Sequence, residues 1–312
     1  ACGAPVPRTA PSQARRARLG AALGLSPGSG VKFECAPSKL SPRPHVPTRI
    51  ARSYLFVPGN RPDRFAKALA SGADAVILDL EDAVPPTEKE AARGHVGRWL
   101  ADAHPVIVRV NAFGTDWFAG DLDLCRGPGV AGVMLPKAEH EDQIAAVQAR
   151  LGRSVPVLPI VETALGVWHA EAVARSPQVE RLVFGALDLA LDLQVSGDEA
   201  LSAYRALIVL VSRVVGLPAP VDVPTTTFTD PDRVRADAVR ARQMGFGGKL
   251  CIHPAQVAPV HEAFAPTEDE VAWARRVLAA DVASGGAATS LDGEMVDRPV
   301  VARAHAILAR LA

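Results

Sequence analysis

Short runs of apolar, β-favouring residues recur from Arg52 onward, at Ser53–Val57, Ala75–Leu80, Pro105–Val110, Val130–Leu135, Val155–Val161, Arg181–Ala186, Ala219–Val223 and Lys249–Ile252. They are apolar at successive positions, as parallel strands covered on both faces are. Between them lie helical stretches such as Pro62–Ser71, Thr87–Ala103, Glu139–Leu151, Val167–Arg175, Glu199–Val215 and Pro231–Met244. Eight strand–helix units in about 250 residues predict an α/β protein built as a (β/α)8 TIM barrel. An open doubly wound sheet is the alternative. It favours a Gly-x-Gly-x-x-Gly turn after the first strand, and none is present there.

The pattern divides the chain into three parts: 1–48, a barrel over 49–265, and a tail over 266–312. In the tail, Thr267–Val282 reads as a helix opened by a Thr267/Glu270 capping box. Ser284–Ser290 is rich in Gly, Ala and Ser and reads as a mobile hinge. Met295-Val296-Asp297-Arg298-Pro299 follows, and then a second helical pattern. Such a tail is expected to act as a helical lid, over this subunit's site or a neighbour's, and to support oligomerisation. Residues 1–48 are Pro-, Ala-, Arg- and Ser-rich without apolar period, and read as a disordered extension. Their Arg-rich, acid-poor composition also suits a transit peptide, which would mean an organellar matrix rather than cytoplasm. A chain starting without Met favours the alternative reading, an expression remnant or a misassigned start.

Composition narrows the function. An apolar share of 48% suits a sizeable core, and no run approaches the roughly 20 residues that cross a bilayer. No membrane partner is expected. Residues 1–48 hold seven Lys/Arg and one acid, leaving 27 basic and 33 acidic residues beyond, a net of −6. An acidic body argues against nucleic acid. Four scattered cysteines without a Cys-x-x-Cys pair indicate neither a zinc knuckle nor a disulfide framework, and point to a reducing compartment.

Barrel chemistry sits at the C-terminal ends of the strands. There the chain places Asp79, Glu81 and Asp82 after strand two, Arg109 at the end of strand three, Lys137 after strand four, Glu162 after strand five, Asp188 after strand six and His253 after strand eight. Glu162 and Asp188 each follow a buried apolar run, where a charge is costly unless paired or holding a metal. Two carboxylates at neighbouring strand ends predict a hard-cation site, with Mg2+ favoured. Helix-dipole and N-cap roles are the structural alternatives for these two, and Asp192 is read as structural. Arg109 suits bidentate binding of an acid substrate, or a bridge to Glu81 or Asp82. Glu81 and Asp82 are read as supports that orient a water on the metal, or Arg109. Lys137 has two readings: a Schiff base with a keto acid, or an ion pair with Glu139 or Asp188. His253 is read as a loop anchor or a ligand contact.

These segments resemble a known family. Arg52-Ser53-Tyr54-Leu55-Phe56-Val57-Pro58-Gly59-Asn60 is similar to the opening of the citrate lyase β-subunit group of the HpcH/HpaI aldolase superfamily. The similarity continues through Asp79–Val84, Arg109-Val110-Asn111, Leu135-Pro136-Lys137, Val161-Glu162-Thr163, Phe184–Leu189 and Gly245–Pro254. It implies a barrel holding Mg2+ through Glu162 and Asp188, with substrate contacts at Arg109 and Glu162. It implies cleavage or formation of a carbon–carbon bond between a 2-oxo acid and an acetyl thioester, with malyl-CoA, citramalyl-CoA or citryl thioesters as substrates. It places Phe56, Ile252 and His253 near CoA. Met295-Val296-Asp297 is similar to the family's C-terminal Met-Ile-Asp, which makes Asp297 the acid/base, supplied by a neighbouring subunit; a helix cap before Pro299 is its structural alternative. A homo-oligomer, a trimer or hexamer, is expected because the tail would need a partner mouth to cover. The rival readings are an aldolase on free hydroxy-keto acids and a citrate lyase β-subunit acting on a carrier-bound thioester.

Overall fold

A computed structural model describes residues 50–102 and 104–311 of the chain. The extension read at 1–48 lies outside the described residues. Eight parallel strands close in sequential order: β1 (Ser53–Pro58), β2 (Ala75–Asp79), β3 (Val106–Arg109), β4 (Val130–Leu135), β5 (Val157–Val161), β6 (Val183–Phe184), β7 (Val221–Asp222) and β8 (Gly248–Cys251). β1 closes the ring by pairing with β8. The predicted barrel is therefore the observed fold.

Strand alternation sorts the core into two layers. Tyr54, Ile77, Ile107, Met134, Leu158, Ile160, Val183, Val221 and Leu250 fill the barrel interior. Their sequence neighbours, such as Leu55, Val57, Leu78, Val108 and Val161, face the surrounding helices. Period-two geometry carries each inward series on to the C-terminal rim. The next inward positions are Phe56, Asp79, Arg109, Glu162 and Gly185. The opposite end is closed by Arg181, which donates to the carbonyls of Ala51 and Ala219 and to the Tyr54 hydroxyl.

Several elements differ from the sequence reading. β6 is two residues long, because a helix at Ala186–Asp192 begins directly after Gly185. Helices Phe118–Leu124 and Val257–Phe264 were not anticipated. The expected helix at Val167–Arg175 is two short helices, Ala164–Trp168 and Ala170–Arg175, meeting at His169. In the tail, Thr267 and Glu270 form the predicted capping box, opening the helix Glu268–Ala283. The stretch read as a hinge is partly ordered: β9 (Thr289–Leu291) pairs antiparallel with β10 (Glu294–Val296). Asp292 and Gly293, at φ 55° and 84°, make the two-residue turn between them. The last helix, Arg298–Leu308, packs on Glu268–Ala283 through Ala274, Val277, Val296, Ala304 and Ile307. Among the described residues no helix is long and apolar enough to cross a membrane.

Candidate active site

The rim is organised around Arg109. β2 and β3 pair in register with Asp79 opposite Arg109. The carboxylate of Asp79 accepts Nε and Nη2 of Arg109 at 2.7 and 2.6 Å. Nη1 lies 2.9 Å from Glu81 Oε2 and 3.7 Å from Asp82 Oδ2. The guanidinium also stacks over the ring of Phe56, 4.7 Å from its centroid. The main partner is thus Asp79, not Glu81 or Asp82, since the strand register brings Asp79 alongside and aims its two oxygens at the fork. Of the five guanidinium N–H groups, the three contacts under 3 Å leave one on each terminal nitrogen for a ligand. Burial opposes the charge on Arg109, but the surrounding carboxylates outweigh it and raise its pKa.

Glu162 is 5% exposed. Its Oε1 accepts the backbone N–H of Lys137 at 2.8 Å. β5 and β6 pair through Val161 and Phe184, which sets Glu162 beside Gly185. A Cβ at Gly185 would lie 2.4 and 2.5 Å from Glu162 Cβ and Oε2, so only glycine leaves room for this carboxylate. Asp188 lies three residues past Gly185 in the first turn of Ala186–Asp192. One helical turn returns it to the same side. Two readings of Asp188 are corrected here: it sits in a helix rather than at a strand end, and the N-cap is Gly185. Asp192 serves the fold, its Oδ2 accepting the N–H of Ala164 at 2.6 Å.

Lys137 connects the acids. Its Nζ is 3.3 Å from Glu81 Oε1 and 4.0 Å from Asp188 Oδ1. Glu139, the other partner considered, instead accepts the Thr163 hydroxyl. Burial lowers the pKa of Lys137, but Glu81, Glu162, Asp188 and Asp82 more than offset this and hold it above the usual lysine value. An ammonium kept charged is a poor nucleophile, which counts against a Schiff base.

Burial pushes the Glu162 carboxyl up to about 8, with Asp188 and Glu81 adding repulsion and the Lys137 N–H opposing it. Burial also raises Glu81. A carboxyl whose pKa rises from 4.5 on folding stabilises the native state fully below pH 4.5 and loses that contribution as pH climbs through about 8. In EDTA, wild type is therefore expected to lose thermal stability across this window more steeply than Glu162→Gln, which cannot ionise yet still accepts the Lys137 N–H. Equal pH slopes in thermal melts of the two proteins would exclude Glu162 as the titrating group.

The donor set fits a hard divalent ion. Glu162 Oε2 remains after Oε1 is used, Asp188 is partly exposed at 39%, and its charge adds to the burial that raises Glu162. Among the described residues no group of three or more His, Cys, Asp or Glu converges as a metal cluster. A two-carboxylate site suits Mg2+, which keeps part of its shell for water or substrate.

Beside this mouth lies a cavity of about 630 Å³, lined by Phe56, Arg61, Arg64, Lys67, Phe228, Ile252 and His253 among others. Phe56, Ile252 and His253, singled out in the sequence, thus meet in one place. Ile252 is exposed, and the ring of His253 stacks on Phe228 at 4.7 Å. His253 Nδ1 also accepts the N–H of Ala255, so the residue anchors its loop as well. Arg61, Arg64 and Lys67 were overlooked, although their three-residue spacing placed them on one side of a helical turn. Lys89 was overlooked too. It is buried and donates to Leu80 O, Glu81 O and Asn111 Oδ1 at 2.7–2.8 Å, fixing the backbone that carries Glu81. Asp297 is the N-cap of Arg298–Leu308, its Oδ1 accepting the Val300 N–H at 3.3 Å, as its structural alternative predicted.

Fold and site together define a TIM-barrel enzyme with an acid-rich mouth and a basic side cavity. The chain belongs to the HpcH/HpaI aldolase/citrate lyase family, whose pattern matches residues 52–254. It is a lyase-type enzyme acting on carbon–carbon bonds. It is 42% identical over 282 residues to a citrate lyase subunit beta-like protein of Deinococcus radiodurans, covering 85% of this chain and 98% of that one. It is 34% identical to an L-malyl-CoA/beta-methylmalyl-CoA lyase of Cereibacter sphaeroides, with coverage of 85% and 96%. CitE from Mycobacterium tuberculosis, solved with magnesium, acetoacetate and coenzyme A, superposes with a TM-score of 0.76 at 35% identity, covering 85% of this chain and 99% of that chain.

Proposed function

We propose that the enzyme is a Mg2+-dependent lyase that cleaves or forms a 3-hydroxyacyl-CoA, such as citramalyl-CoA or malyl-CoA, yielding a 2-oxo acid and acetyl-CoA. One observation carries this reading. The Arg109 guanidinium, bound to Asp79 and Glu81 in the acidic mouth, stacks on Phe56, and Phe56 also lines the cavity holding Arg61, Arg64 and Lys67. An acid-binding centre is thereby joined to a basic, aromatic-walled space suited to the phosphates and base of CoA. The magnesium and CoA bound by the related CitE support the same assignment.

Glu162 and Asp188 would hold the ion, which would supply charge stabilisation to the oxygens of the acid portion. Arg109 directs its remaining N–H groups at the thioester oxygen, which gains negative charge as the carbon–carbon bond breaks. Asp79 and Glu81 keep the guanidinium in place before substrate arrives. As the carbon–carbon bond breaks, the substrate hydroxyl gives up its proton to solvent water, and Asp297 in its protonated form delivers a proton to the acetyl carbon and is reprotonated from solvent; in condensation the Asp297 carboxylate removes the carbon proton and the new alkoxide takes one from water. Asp297 is supplied by a neighbouring subunit. The tail has its own apolar cluster and leaves Met295, beside the capping turn, 66% exposed. Capping uses Oδ1 and leaves Oδ2 for the proton.

The test is a panel of malyl- and citramalyl-CoA, the free hydroxy acids and a carrier-bound citryl thioester, each with MgCl2 or EDTA. Formation of 2-oxo acid and acetyl-CoA from a CoA thioester, falling at least about 100-fold in EDTA, is expected. Undiminished turnover in EDTA would remove the metal from the reading. Turnover confined to free acids or to the carrier-bound substrate would move the enzyme to that class, and release of CoA without 2-oxo acid would make it a hydrolase.

A further inference from the structure

Lys137 engages the acidic mouth in two ways. Its backbone has φ 48°, in the left-handed region that non-glycine residues seldom occupy. Its N–H donates to Glu162 Oε1. Its side chain reaches the other two acids, with Nζ 3.3 Å from Glu81 and 4.0 Å from Asp188. One residue thus contacts three carboxylates gathered at this mouth, through its N–H to Glu162 and its Nζ to Glu81 and Asp188. The ammonium is tethered by a flexible stem, and its side chain is 41% exposed, which gives it a path toward solvent.

We infer that Lys137 is a resident counter-ion: its ammonium neutralises the Glu81–Glu162–Asp188 cluster when no divalent ion is held, competes with that ion, and so sets the affinity of the site. The inference rests on the assignment of Glu162 and Asp188 as ligands. Its basis is electrostatic. Three acids at a half-buried mouth repel one another, and one positive charge among them offsets part of that repulsion. A dication on Glu162 and Asp188 meets a like charge near Asp188, so the ammonium must withdraw or weaken binding. A neutral side chain of similar length removes the competitor and also removes the support of the metal-free fold. The two properties therefore change in opposite directions, a pattern that loss of packing alone does not produce.

The experiment is calorimetric titration of the full chain with MgCl2, and thermal melts in EDTA and in MgCl2, for wild type, Lys137→Met, Lys137→Gln, Lys137→Arg and Glu162→Gln. Lys137→Met and Lys137→Gln are expected to bind Mg2+ about tenfold more tightly than wild type. They should melt lower in EDTA and show a larger Mg2+-induced rise. Lys137→Arg, which keeps the charge, should stay near wild type. A neutral variant that folds only when Mg2+ is present also supports the counter-ion role. Unchanged or weaker Mg2+ binding by both neutral variants, with wild type binding and Glu162→Gln not, overturns the inference and leaves the metal assignment standing. Neutral variants that fail to fold even with Mg2+ overturn it as well. If wild type binds Mg2+ no better than Glu162→Gln, the metal assignment fails and the inference falls with it.

Discussion

Asp297→Asn is expected to lower kcat by about 10²- to 10⁴-fold while leaving the melting temperature within a degree or two of wild type. The pairing of these outcomes is what gives the prediction force. Asp297 has a visible structural job, accepting the Val300 N–H at the start of Arg298–Leu308. Asn performs that job nearly as well, because its side-chain oxygen accepts the same bond. It cannot exchange a proton at carbon. Asp297→Ala loses both functions and should cost about 1 kcal/mol of stability besides the rate. Wild-type turnover in the Asn variant would reduce Asp297 to a cap. Trans action has its own signature. Neither Asp297→Asn nor Glu162→Gln alone should be active, but oligomers mixed from the two contain some mouths with Glu162 intact that are met by an intact Asp297. Activity recovered on mixing places the residue in a neighbour, and none recovered places it in its own barrel.

Arg109→Met should damage both fold and reaction. Asp79 is almost wholly buried, and its charge is matched by the Arg109 fork together with the N–H groups of Glu81 and Ala83. Removing the arginine leaves a buried carboxylate without its cation, a change that typically costs about 3–5 kcal/mol. The accompanying loss in kcat/KM is expected to be on the order of 10²–10³-fold or more, the scale of one lost donor to a developing oxyanion. Arg109→Lys separates the contributions. It restores a positive charge beside Asp79 but not the planar fork or the stacking on Phe56, so stability should recover further than activity. Denaturant melts and steady-state kinetics on the two variants check this. Equal recovery of both quantities would mean that Arg109 acts only through its charge.

The placement of most site residues was legible because a strand has a fixed two-residue period. Once Leu158 and Ile160 are inside, Glu162 is next inside, and the same count carries Ile107 to Arg109 and Tyr54 to Phe56. The two acids proposed to hold the ion stood out for a related reason, since a charge that ends an apolar run needs a partner. What arises from register was not. On paper the partners for Arg109 were Glu81 or Asp82, and only the β2–β3 pairing set Asp79 opposite it. The burial of Lys89 was equally hidden, because its acceptors are two carbonyls and Asn111, which lies 22 residues away on the β3 side. The β9–β10 hairpin did leave a signal, the Asp292-Gly293 turn, which the glycines of 284–290 obscured.

By itself the sequence determined the eight-fold alternation of strand and helix, the acids and arginine at the strand ends, and the capped tail helix, all of them local or periodic properties of the chain. The tertiary structure decided which acid grips Arg109, that Asp188 rides on a helix turn, that Lys137 reaches three carboxylates, and that basic residues from 61–67 share a cavity with Phe228 and His253. These depend on distances between residues far apart in the chain, which closure of the barrel and the stagger between neighbouring strands establish.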